Sequence, residues 1–113
     1  MNKIDMLIES IKKMKPISFE YNKPGKTTGR RIGNVHAVFI FTAKSGEQST
    51  KVHIVQTSGA SDSKDRKPFP DFRMFNIEDL SGIEILEKVL KFEPYYNKYN
   101  PEWEGYKDVI AKV

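Results

Sequence analysis

The sequence has no cysteine, which excludes a disulfide framework and any thiolate metal site and fits a reducing, cytosolic setting. It has two histidines, His36 and His53, and their spacing matches no standard metal-ligand pattern. Asp62 and Asp65 lack the spacing and glycine of a calcium loop, so neither a metal nor a cofactor is expected. There is no GxxxxGK[ST] phosphate loop, no GxSxG elbow and no paired catalytic glutamate in a recognisable context. Apolar runs are short. Glu9, Ser10, Lys12 and Lys13 interrupt the first of them, and none approaches the roughly 20 residues of a membrane span, so no membrane partner is expected. Repeats and low-complexity tracts are also missing.

What is present is a chain of 113 residues, 38% hydrophobic and 12% aromatic, which suits one domain over 1–113 with a single modest core. Charge is unevenly spread. Residues 1–77 hold 14 Lys/Arg against 7 Asp/Glu, whereas residues 78–113 hold 5 against 8. A positive lobe of this kind favours an anionic partner such as a nucleotide or nucleic acid, although lysines also solvate small proteins without further purpose.

Ile4, Leu7, Ile8 and Ile11 form one apolar stripe, predicting a helix over 3–14 that begins at Asn2 and stops before Pro16. Ile17, Phe19 and Tyr21 alternate with Ser18 and Glu20, as in a half-buried strand. The stretch 22–31 follows, with Lys23, Lys26, Arg30 and Arg31 as a basic lip or a solvated hairpin tip. A second strand is predicted over 31–42, with Gly33 marking a bulge. One extra residue there would reverse parity and bring Arg31 and His36 to one face. A third strand over 50–57 ends its apolar face in Gln56, and a polar loop, 58–70, carries Ser61 and Ser63. A fourth strand, 71–77, places Arg73 with Phe75 and Ile77. Residues 78–90 fit strand and helix periods about equally, and the aromatic tail, 91–113, is expected to wrap the domain with a short strand or helix at 105–113. Strands at hairpin spacing after one helix predict a mainly β fold, a small antiparallel barrel over about 17–90.

The ordered segments LIESIKKMKPISFEY, RRIGNVHAV, VHIVQTSGASDS and DFRMFNIEDLSGIEIL resemble the WYL domain, found mostly in bacterial and phage proteins. The similarity covers about residues 7–90 and is weaker around Tyr96 and Asn97. Two departures stand out: the Trp-Tyr-Leu tripeptide is absent, and Val35 stands where many relatives have proline. The helix-turn-helix region often fused ahead of this domain is not in the sequence, so a free-standing copy is expected. The resemblance implies an SH3-like (Sm-like) barrel that binds a nucleotide-type ligand or single-stranded nucleic acid through an Arg-containing polar pocket and regulates a partner. By resemblance the ligand-binding set is Tyr21, Arg31, His36, Gln56, Ser61, Ser63 and Arg73.

The residues themselves leave alternatives open. Arg31 and Arg73 suit phosphate or carboxylate, but either can instead pair with Asp71 or Glu20 as a structural bridge. His36 donates to a phosphate or caps a strand, while His53 reads as a structural or surface histidine. Gln56 reads a base edge or bonds the loop backbone, and Tyr21 favours core packing. The leading expectation is therefore a non-enzymatic binding domain. A protein-interaction adaptor working through the aromatic tail is the first alternative, and whether the domain forms a homodimer stays open. A metal-independent ribonuclease using His36 or His53 with Arg73 is the second.

Overall fold

Asn2 starts the first element by accepting the Asp5 N–H at 2.8 Å, the N-cap bond its side chain is suited to make. The helix, α1 (Lys3–Lys13), stops one residue earlier than predicted because Met14 turns left-handed at φ 54° and donates to the Ser10 and Ile11 carbonyls. The structure, a computed structural model, describes residues 2–61 and 68–113. The remaining strands are β1 (Ile17–Tyr21), β2 (Arg30–Thr42), β3 (Gln48–Gly59), β4 (Asp71–Asn76), β5 (Leu80–Ile85) and β6 (Val109–Lys112). The ambiguous stretch resolves into a 3-10 turn, Ile77–Asp79, followed by β5. In the tail a 3-10 turn at Glu104–Tyr106 precedes β6.

All strand pairs are antiparallel, in the order β4-β3-β2-β1-β5, with β6 added to β2. The fold is mainly β, with one helix at its start, and β4 and β5 are not paired with each other among the described residues. The sheet is nonetheless curled. On a flat sheet β1 and β4 would lie about 14 Å apart, three strand spacings. Yet the Phe19 and Phe75 rings meet edge to face at 5.5 Å, and those of Tyr21 and Phe75 at 4.8 Å.

The curl encloses a cluster drawn from five strands, with Ile17, Phe19, Val35, Val38, Val52, Ile54, Phe75 and Leu80 closed by Leu7 and Ile11 of α1. This is the core face. On the other side of β2 and β3, Ala37 and Phe39 pack against Tyr99 and Tyr106 of the aromatic tail. This is the tail face. No described helix is long and apolar enough to cross a membrane.

Candidate polar site at the mouth of the core face

β3 carries Val52, Ile54 and Gln56 on the core face, so the strand runs from the apolar cluster into an amide that is fully buried. Its neighbours are fixed by register: Gly33 and Asp71 stand opposite Gln56, and Ile54 faces Arg73. Gly33 is needed here. A Cβ at that position would lie 2.5 Å from Ile54 Cγ2 and 2.8 Å from the Val55 carbonyl oxygen. Only a residue without a side chain lets β2 and β3 approach this closely beside the amide.

Gln56 organises the site. Its Oε1 accepts from Arg31 Nη1 and from Arg73 Nη1, each at 3.3 Å, while its Nε2 donates to the carbonyls of Ser58 at 3.2 Å and Ala60 at 2.7 Å. This pattern fixes the amide orientation, since oxygen faces cations and nitrogen faces carbonyls. Arg31, 2% exposed, also donates to the Thr27 carbonyl and lies over the rings of Tyr21 (5.3 Å) and Phe75 (5.9 Å). Tyr21 thus both packs on the core and forms a wall for the guanidinium. Arg73 donates through Nε to Asp71 and through Nη2 to Ser61 Oγ, both at 2.7 Å, and lies over Phe69 at 5.6 Å. Its side chain keeps 14% of its exposure, more than Arg31 or Gln56 retains.

Tyr21, Arg31, Gln56, Ser61 and Arg73 therefore meet in one cluster, and Ser63 lies outside the described residues. The Asp71 bridge anticipated as one alternative is present. The partner of Glu20 is Arg30 rather than Arg31, so Arg30 leaves the basic lip and folds onto β1 and β5, bonding Ser18 and the Gly82 carbonyl. The bonds from Gln56 to the Ser58 and Ala60 carbonyls are the loop-backbone alternative expected for it, whereas the Thr27 carbonyl was not foreseen, because a backbone acceptor carries no residue-type signal.

His36 does not join the cluster, against the parity argument. The register does shift beside Gly33, but the extra residue is Thr57 of β3, so β2 alternates without interruption from Arg31 to Val35. His36 is itself the extra residue of a second shift, between Val35 and Ala37, and sits on the tail face. Its Nδ1 faces the Asn34 carbonyl at 2.9 Å, and its Nε2 accepts the Tyr95 N–H at 3.0 Å. Those partners require a proton on Nδ1 and a lone pair on Nε2, which is the neutral ring. The ring stacks on Phe92 at 5.3 Å and meets the edge of Tyr99 at 5.0 Å, and the His36 carbonyl receives the Val113 N–H. Burial lowers its pKa despite the Asn34 bond, which acts the other way.

His53 is also on the tail face, 7% exposed, with Nδ1 2.6 Å from Tyr106 Oη. Burial first, then the proximity of His36, pushes its pKa down to about 4. Both histidines thus hold the tail, and the constellation of a histidine with Arg73 that the ribonuclease alternative needs is not assembled. Among the described residues no cluster of His, Asp or Glu could hold a metal ion. Comparison of the chain with protein-family models, with curated proteins and with solved structures found no match.

Proposed function

We propose that this chain is a regulatory binding domain of the WYL type, taking a nucleotide-type ligand or single-stranded nucleic acid at the Arg31–Gln56–Arg73 cluster. The observation that carries this reading is the convergence of two guanidinium groups on one neutral amide oxygen. Gln56 Oε1 and Ser61 Oγ occupy acceptor positions that phosphate oxygens would take. A phosphate would give these guanidinium groups a charged, bidentate acceptor in place of single neutral oxygens, which supports exchange for the anion. Phe69, over which Arg73 lies, offers a face on which a base can stack. A strand order of β4-β3-β2-β1-β5, with a 3-10 turn between β4 and β5, supports the SH3-like barrel as the underlying plan. Absence of cysteine supports a cytosolic setting.

The tail-adaptor alternative gains nothing from the geometry, since Phe92, Tyr99 and Tyr106 are consumed in packing and only Tyr96 and Trp103 keep substantial exposure among the tail aromatics. The test is thermal shift against mono-, di- and cyclic nucleotides and short single strands, with Arg73→Ala as the partner variant. Arg73 lies near the surface, so the variant is expected to stay folded and to lose at least tenfold in affinity, about 1.4 kcal/mol. A folded Arg73→Ala with unchanged affinity, or a flat panel with the native chain, overturns the reading.

A further inference from the structure

The aromatic tail covers the tail face incompletely. Tyr99 and Tyr106 close over Ala37 and Phe39 of β2, but the part of the face on β3 and β4 stays open. A cavity of about 300 Å³ lies there, a volume at the lower end of small-molecule sites. Its walls are Phe72, Met74, Trp103 and Tyr106, and His53 is its most deeply buried polar lining residue. Met74 is 52% exposed and Trp103 41%, so large apolar surface faces solvent around the opening. The cluster described above is on the other side of the sheet, because Phe72 and Met74 alternate with Arg73 along β4.

Two polar features define what the cavity would take. Tyr106 Oη has no acceptor among the described residues other than His53 Nδ1, which assigns the phenol as donor and leaves the imidazole proton on Nε2. The cavity thus has a hydrogen-bond donor among aromatic walls. At its edge stands Lys98, an exposed lining residue whose ammonium has no ion pair among the described residues. A cationic ligand, the usual occupant of an aromatic cage, would face that ammonium and is disfavoured.

We infer that this cavity is a second binding site, for a small aromatic carboxylate, with the ring held between Phe72, Met74 and Trp103 and the carboxylate directed to Lys98 and His53. Offset and edge-to-face contacts to the walls reward a flat ring over an aliphatic one.

Trp103 is the sole tryptophan of the chain and also borders the grooves beside Phe41 and Lys107, so its emission reports a ligand nearby and the Lys98 and Met74 variants locate it in this cavity. The probes are benzoate, benzamide and cyclohexanecarboxylate, titrated with excitation of the indole. Benzoate is expected to give a saturable change, with benzamide and cyclohexanecarboxylate each about three- to fivefold weaker, the scale of one exposed charge pair or one aromatic contact. Lys98→Ala removes the preference for benzoate over benzamide, and Met74→Glu, at an exposed side chain, weakens benzoate selectively. Arg73→Ala leaves all three unchanged. The inference is overturned by the absence of a saturable change with benzoate. Equal binding of the three probes, or an unaltered preference in a folded Lys98→Ala, overturns it as well. Loss of benzoate binding in Arg73→Ala does the same, since that would place the ligand at the other cluster.

Discussion

The two faces of β2 and β3 bury polar side chains by opposite means. On the core face charge is retained: two arginines are held by neutral oxygens and aromatic faces, with Asp71 beside Arg73. On the tail face charge is excluded: both histidines are neutral, each with one ring nitrogen bonded to a partner in the tail. A site that retains charge keeps donors that an incoming anion can compete for. A site that excludes charge is a fastening, and its weakness is protonation. Two guanidinium groups are therefore held on the core face, whereas the buried histidines of the other face fasten the tail.

The comparison is broken most severely at Phe75, whose ring touches Phe19 and Tyr21 and lies under Arg31. Phe75→Ala is expected to cost about 3–5 kcal/mol in urea denaturation, through lost transfer and an unfilled cavity between β1 and β4. Phe72→Ala, at a half-buried ring of the tail face, should cost less. A milder loss at Phe75 than at Phe72 would mean that the curl does not depend on the rings bridging β1 and β4.

The second effect is set by pH. Both histidines have folded-state pKa values below the ordinary 6.5, so below that value the unfolded chain binds more protons than the folded one. Stability is therefore full above about pH 6.5 and falls on acidification toward about 4, where folded His53 also titrates. A proton on His36 Nε2 would oppose the Tyr95 N–H, so the tail should loosen first. Trp103 emission and the melting temperature, followed from pH 7 to 5, should both move, and the slope should shrink in a His36→Asn, His53→Gln double variant. A native profile flat over that interval would remove the neutral-histidine account of the tail face.

Such differences mark how far the sequence could be read. Strand alternation correctly grouped Gln56 with Ile54 and Arg73 with Phe75, because parity within one strand needs no knowledge of its neighbours. The place of His36 depended on which strand of a pair carries the extra residue. That belongs to the pairing of β2 with β3, and Gly33 marked where the shift lies without saying that Thr57 supplies it. Relations between distant strands were hidden for the same reason. Nothing local to β4 or β5 states whether they meet, and the four residues of β6 are too few to show a period.

The smallest effect separates two neighbours in the chain that a reading by composition treats alike. Arg30 and Arg31 are consecutive, yet Arg31 is 2% exposed while the Arg30 side chain is 43% exposed beside Glu20 at 3.5 Å. Arg30 also donates to Ser18 Oγ at 2.7 Å and to the Gly82 carbonyl, contacts that tie β2 to β1 and β5 at the surface. An exposed pair of this kind is worth about 0–1 kcal/mol and weakens with salt. Arg30→Ala should therefore cost no more than about 1 kcal/mol, and less in high salt. It should also leave nucleotide binding unchanged, because the fork that reaches Gln56 is that of its neighbour. If Arg30→Ala instead removed binding while the fold persisted, the anion would sit on the outside of β1 and β2. The contrast between a charge-retaining core face and a charge-excluding tail face would then have to be redrawn around the exposed edge.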